Sequence, residues 1–216
     1  MMSSPQSNPS KYKAMRWIVI TSPDNLSGEV SFIERLFDRG LDLLHLRKPA
    51  ADEATYAHLL EAIPEQWHSR IVLHDHFQLT ERFGLHGVHL NRRNPLPPAA
   101  WRGSCSASCH SLSEVTAQKP HRDYLFLSPI FNSISKVGYA AAFPEETLRE
   151  AARQGIIDQQ VIALGGITAT HIPLLHQWRF GGAAFLGDIW NRIDDPAVDS
   201  YLRSLWQCLK IAHCND

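Results

Sequence analysis

Polar residues with chemical potential fall in short clusters along this sequence, each at the end of an apolar run. The first cluster is Leu44-His45-Leu46-Arg47-Lys48. With the side-chain period of a strand, His45 and Arg47 share one face and Leu44 and Leu46 the other. A guanidinium on an inner face is costly unless an anion meets it. The planar fork of Arg47 suits a phosphate, and an ion pair with a carboxylate on a neighbouring strand is the other reading.

The second cluster is His74-Asp75-His76. A carboxylate at a strand end suits Mg2+ alongside phosphate oxygens and water. The histidines also admit zinc, with His86 and His89, although that spacing is not a finger spacing. A structural role for most of them is the plainer reading. Ser104, Ser106 and Ser108 alternate with Cys105 and Ala107, and His110 follows. No G-x-S-x-G elbow marks Ser108 as a nucleophile, so a hydrogen bond from Ser108 to phosphate is the stronger expectation. Ser133, Ser135 and Lys136 supply hydroxyls and a mobile point charge within four residues. They suit a pyrophosphate, or simply an exposed polar loop. Gly165-Gly166 and Gly187 would let main-chain N–H groups approach an anion closely.

The elements that position these clusters follow from periodicity. Strands are expected at 17–20, 43–47, 71–74, 87–90, 104–108, 124–128, 161–164 and 183–186. Helices are expected at 30–38, 52–63, 79–83, 111–117, 168–178 and 196–212, with another opened by Pro144. Pro95, Pro97 and Pro98 argue against a long helix after the fourth strand. Eight strands, each followed by a crossover, predict a parallel sheet closed into a single (β/α)8 barrel. An open doubly wound sheet is the runner-up, but no G-x-G-x-x-G follows the first strand. In a barrel the clusters converge at the C-terminal mouth, where loops seven and eight form a recurrent phosphate site.

Composition narrows the function classes. The chain has 216 residues, 44% hydrophobic and 20% charged, with a net charge of -1. That suits one domain over 15–216, with residues 1–14 as a disordered tail. There is no charge excess for nucleic acid or an anionic membrane, and no apolar run of membrane-spanning length. The N-terminal residues lack the apolar core of a secretory signal. Cys105, Cys109, Cys208 and Cys214 form no C-x-x-C pair. They read as reduced structural thiols of a cytoplasmic protein. A homo-oligomer is compatible with the sequence but not required by it.

Six ordered segments together resemble the thiamine phosphate synthase family, which also contains thiazole tautomerases. They are Leu44-His45-Leu46-Arg47, His74-Asp75, Gly87-Val88-His89-Leu90, Ser108-Cys109-His110-Ser111, residues 128–136, and Ala163-Leu164-Gly165-Gly166-Ile167. The resemblance covers residues 17–190. It implies an enzyme that joins hydroxymethylpyrimidine diphosphate to thiazole phosphate, releases pyrophosphate and uses Mg2+. Arg47 and Lys136 would then grip the diphosphate, Asp75 would hold Mg2+, and Ser108 would bond a phosphate oxygen. Ser133 and Ser135 stand where the family has threonines. Gly165, Gly166 and Gly187 would cradle the thiazole phosphate.

The sequence also departs from the family. His45 and His74 replace a Gln and an Asn at substrate-binding places. The family's second lysine falls on Pro49, next to Lys48. After the fourth strand a Gly-Gln-acid-Asp stretch reads Asn91-Arg92-Arg93-Asn94, so Asn94 replaces the second metal aspartate. Loss of an anionic ligand weakens a Mg2+ site, and Arg92 and Arg93 are candidates to supply positive charge instead. The departures admit two alternatives on the same barrel. One is a metal-independent thiazole tautomerase with His110 as acid/base; the other is a non-catalytic thiamine-precursor binding protein.

Overall fold

The computed structural model describes residues 14–132 and 143–210. The strands are β1 (Arg16–Ile20), β2 (Leu43–Leu46), β3 (Ile71–Leu73), β4 (Gly87–Leu90), β5 (Ser104–Cys109), β6 (Tyr124–Leu127), β7 (Val161–Leu164) and β8 (Gly182–Phe185). Each pairs in parallel with the next, and β8 pairs with β1, closing the barrel.

The helices are α1 (Glu29–Asp38), α2 (Glu53–Ala62), α3 (Leu79–Arg82), α4 (Leu112–Gln118), α5 (Glu145–Arg153), α6 (Ile172–Gln177), α7 (Gly187–Trp190) and α8 (Val198–Lys210). Local chemistry sets several starts. The Asp52 carboxylate accepts from the Thr55 N–H at 2.9 Å, and the Ser111 hydroxyl accepts from the Glu114 N–H at 3.1 Å, each capping its helix. Pro144 caps α5, one residue before the helix begins. Residues 91–103, with their three prolines, form no helix. A short 3-10 segment, Glu65–Arg70, precedes β3.

Period-two alternation builds two separate cores. Leu44, Leu46, Leu73, Val88, Leu90, Leu125 and Leu127 point outward and pack under the helices. Ile18, Ile20, Leu43, Val72, Phe126, Ile162 and Ala184 fill the barrel interior. This places His45 in the lumen and Leu44 and Leu46 outside it, as the spacing predicts. Among the described residues no helix is long and apolar enough to cross a membrane. The N-terminal segment expected to be disordered lies, up to residue 13, outside the described residues, as does Cys214.

Candidate active site

A cavity of about 490 Å³ opens at the C-terminal mouth of the barrel, a volume suited to a small-molecule ligand. Arg47, His74, Ser108, His110, Gly165, Gly166 and Gly187 all line it. Barrel closure is what assembles them. Their strands are far apart in sequence, but every strand end reaches the same rim.

Arg47 leaves the end of β2. Its main chain is clamped to β1, with Arg47 N–H donating to the Thr21 hydroxyl at 2.8 Å and that hydroxyl donating to Arg47 C=O at 3.0 Å. Partial burial and the nearby Arg93 guanidinium lower the Arg47 pKa, but it starts so high that the group keeps its charge. Among the described residues no carboxylate forms an ion pair with Arg47. Lys48 points the other way and is not at the rim. It is 1% exposed, with its ammonium donating to Glu29 at 2.9 Å and to the carbonyls of Asp24 and Ser22 at 3.0 and 3.2 Å.

Below the rim lies a buried histidine network. His45 is wholly enclosed and does not line the cavity. Its Nδ1 meets His74 Nε2 at 2.9 Å and its Nε2 meets the Tyr124 hydroxyl at 2.8 Å. His89 spans two serines, with Nδ1 2.8 Å from Ser106 Oγ and Nε2 2.8 Å from Ser108 Oγ. Burial pushes all three imidazoles below their ordinary pKa, His89 to about 3, so they are neutral. Ligand atoms of His45, His74 and His89 lie within 4.8 Å of one another. The zinc grouping admitted by the sequence takes a different form here. His76 bonds Ala51 C=O and His86 bonds Ser69 C=O, away from the other two. Sequence reasoning named His89 only as a possible zinc ligand and missed Tyr124, although period two along 87–90 and 124–128 would put both inside.

Asp75 has a tightly determined environment. Asn91 folds the loop after β4 by accepting from the Arg93 and Asn94 N–H groups at 2.9 and 3.2 Å. That turn aims both side chains at Asp75. Arg93 Nε donates to Oδ1 at 3.1 Å and Nη2 to Oδ2 at 2.9 Å. Asn94 Nδ2 donates to Oδ1 at 2.8 Å, and the Tyr56 hydroxyl to Oδ2 at 3.4 Å. A carboxylate offers about four lone-pair positions, and four donors occupy them. The surrounding set is a guanidinium, an amide and a phenol, whereas Mg2+ requires oxygen acceptors. These residues do not fit the ion that the resemblance implied at Asp75.

The opposite side of the mouth is built from main chain. Gly165 and Gly166 have φ of +100° and +63°, where a side chain is strained. Phe131 N–H donates to Gly165 C=O and Ile130 N–H to Leu164 C=O, both at 3.0 Å. A Cβ on Gly166 would sit 2.2 Å from Asn132 C=O. Gly187 opens α7 beside them. His110 Nδ1 lies 3.2 Å from Ser128 C=O and 3.3 Å from Ser128 Oγ. Ser133, Ser135 and Lys136 lie outside the described residues.

Three comparisons bear on this arrangement. The family model described as thiamine monophosphate synthase matches residues 17–189. A solved structure of thiamine phosphate pyrophosphorylase from Bacteroides thetaiotaomicron is 42% identical, with a TM-score of 0.83, over 92% of this chain and 100% of that one. Thiamine-phosphate synthase of Escherichia coli (strain K12) is 27% identical over 178 residues, 76% of this chain and 82% of that protein. A thiamine phosphate pyrophosphorylase from Pyrococcus furiosus, 19% identical with a TM-score of 0.72 over 93% of this chain and 98% of that one, shares the fold.

Proposed function

We propose a function from one premise: the chain belongs to the thiamine monophosphate synthase family, which places it among the transferases of thiamine biosynthesis. On that basis it joins hydroxymethylpyrimidine diphosphate to thiazole phosphate and releases pyrophosphate. The observation that carries this is a single cavity lined by Arg47, Arg92 and Arg93 on one side and by Gly165, Gly166 and Gly187 on the other. It offers one cationic and one main-chain site for two phosphorylated substrates.

The chemistry breaks the bond between the pyrimidine methylene carbon and the diphosphate oxygen. The bonding pair leaves with pyrophosphate, and the thiazole nitrogen supplies the pair for the new C–N bond. No protein nucleophile is needed. Negative charge on the leaving group grows along this path, so a fixed guanidinium helps most in the transition state. Arg47 does this from its clamped position, with Lys136 as its partner from the sequence. Ser108 donates upward to a phosphate oxygen when His89 carries its proton on Nε2 and donates that to Ser108 Oγ. Ser106 then donates to His89 Nδ1, which satisfies the buried ring.

The test is to supply both substrates and follow thiamine phosphate and pyrophosphate together. Equimolar formation of the two is expected. Turnover of thiazole carboxylate phosphate alone would replace this reading with the tautomerase. Tight binding of both substrates without product would replace it with a binding protein.

A further inference from the structure

Resting on the reading above, we propose that this chain binds diphosphate without a divalent cation, the Arg93 guanidinium docked on Asp75 and Asn94 standing in the place of the metal.

Three observations converge. Asp75 is saturated by donors, so it has no acceptor position left to offer an ion. The residue at 94 is an amide whose Nδ2 donates to both Asp75 Oδ1 and His74 C=O, so it presents hydrogen atoms where a metal needs lone pairs. Arg93 also lines the cavity shared with Arg47 and Ser108. Two of its five N–H groups hold Asp75 and three remain to donate to an anion.

The charge balance supports the exchange. Two carboxylates with one divalent cation are neutral together, and so is the Asp75–Arg93 pair beside a neutral Asn94. The diphosphate therefore meets the same local net charge with one component fewer. A guanidinium also delivers fixed hydrogen-bond directions to phosphate oxygens. The Asn91 turn and the bidentate contact with Asp75 hold it in place, so little ordering is left for the moment of binding. Asp75 changes role on this account. It is a positioning residue for Arg93.

Calorimetric titration of inorganic pyrophosphate into the full chain, in EDTA and then in excess Mg2+, tests this directly. Binding of similar strength in both is expected. Arg93→Ala should weaken it by about tenfold or more in EDTA, the loss of a charge-assisted hydrogen bond. The double variant Arg93→Glu/Asn94→Asp rebuilds a carboxylate pair beside Asp75. It should bind Mn2+ by electron paramagnetic resonance and need a divalent cation for pyrophosphate, whereas the unaltered chain should give no Mn2+ signal from this site. Pyrophosphate binding by the unaltered chain that vanishes in EDTA would overturn the inference and leave the synthase reading intact. Undiminished binding by Arg93→Ala in EDTA would overturn the role given to Arg93. Absence of binding with and without Mg2+ would overturn both this inference and the synthase reading.

Discussion

On the β2–β4 side of the mouth, the groups that face the cavity are the ends of long side chains, Arg47, Arg92 and Arg93. On the β7–β8 side they are main-chain groups of Gly165 and Gly166, packed against the chain at 129–132, with Gly187 lining the cavity beside them. The first arrangement can change its charge without changing the backbone, and the family departures at Arg93 and Asn94 fall there. The second depends on positive φ and backbone contact, so it has no small edits. On the proposed function, a site for two phosphates thus keeps one pocket fixed while the other is rewritten.

Lys48 tests that division most severely, because it follows Arg47 in sequence yet belongs to the scaffold. Removing its partner with Glu29→Ala leaves a buried ammonium facing only carbonyls and should cost about 3–5 kcal/mol. Urea unfolding would register it, and an unchanged midpoint would show that the pair does not hold the β1–α1 loop. Arg47→Ala should do the reverse. Turnover should fall by about 10²–10³, the usual effect of losing one preorganised donor, while the melting temperature stays nearly constant. A large drop in melting temperature there would break the comparison from the side-chain half. Gly166→Ala probes the other half. Its Cβ meets the Asn132 carbonyl in a left-handed conformation, which should cost about 1–3 kcal/mol. At about 2–4 °C per kcal/mol for a chain of this size, a shift of several degrees should accompany a raised KM for thiazole phosphate. A raised KM at unchanged melting temperature would show that the loop relaxes freely.

Sequence periodicity was enough to place His45 and Arg47 on the lumen side, and the same alternation puts Lys48 on the outer side with Leu44 and Leu46. The helix starts at Asp52 and Ser111 were also legible, because each cap and the N–H it meets lie three residues apart. Contacts across the rim were not. Asp75 and Arg93 are eighteen positions apart, and their pairing depends on the turn Asn91 makes with the N–H groups of Arg93 and Asn94. Nothing in local spacing distinguishes an arginine aimed at a carboxylate from one aimed at solvent. The His45–Tyr124 bond spans 79 positions and exists only because the closed barrel brings both side chains into one lumen. Polar residues in the interior were therefore assigned to ligands when several of them satisfy one another.

The smallest effect expected lies in that floor. Each buried imidazole has a folded-state pKa below the ordinary 6.5, so the unfolded chain takes up more protons as pH falls, and folding weakens. Stability from this source is complete above about pH 6.5. For His89 it is lost progressively down to about pH 3, at about 1.4 kcal/mol per pH unit once the unfolded imidazole is charged. His89→Asn keeps a polar group near the Nδ1 position that faces Ser106 but cannot titrate. Its urea midpoint should therefore fall less steeply than that of the unaltered chain between pH 6.5 and 5.5. The comparison must be of slopes, since the substitution also carries a fixed cost from the lost bond to Ser108. Parallel slopes would mean that water or an anion reaches His89 through the mouth and charges it in the folded state. Because Arg47 is the charge that adds to burial in holding His89 neutral, Arg47→Ala should raise the pH at which this loss levels off to above about 3 and leave the slope between pH 6.5 and 5.5 unchanged, tying the acid sensitivity of the floor to the cation above it.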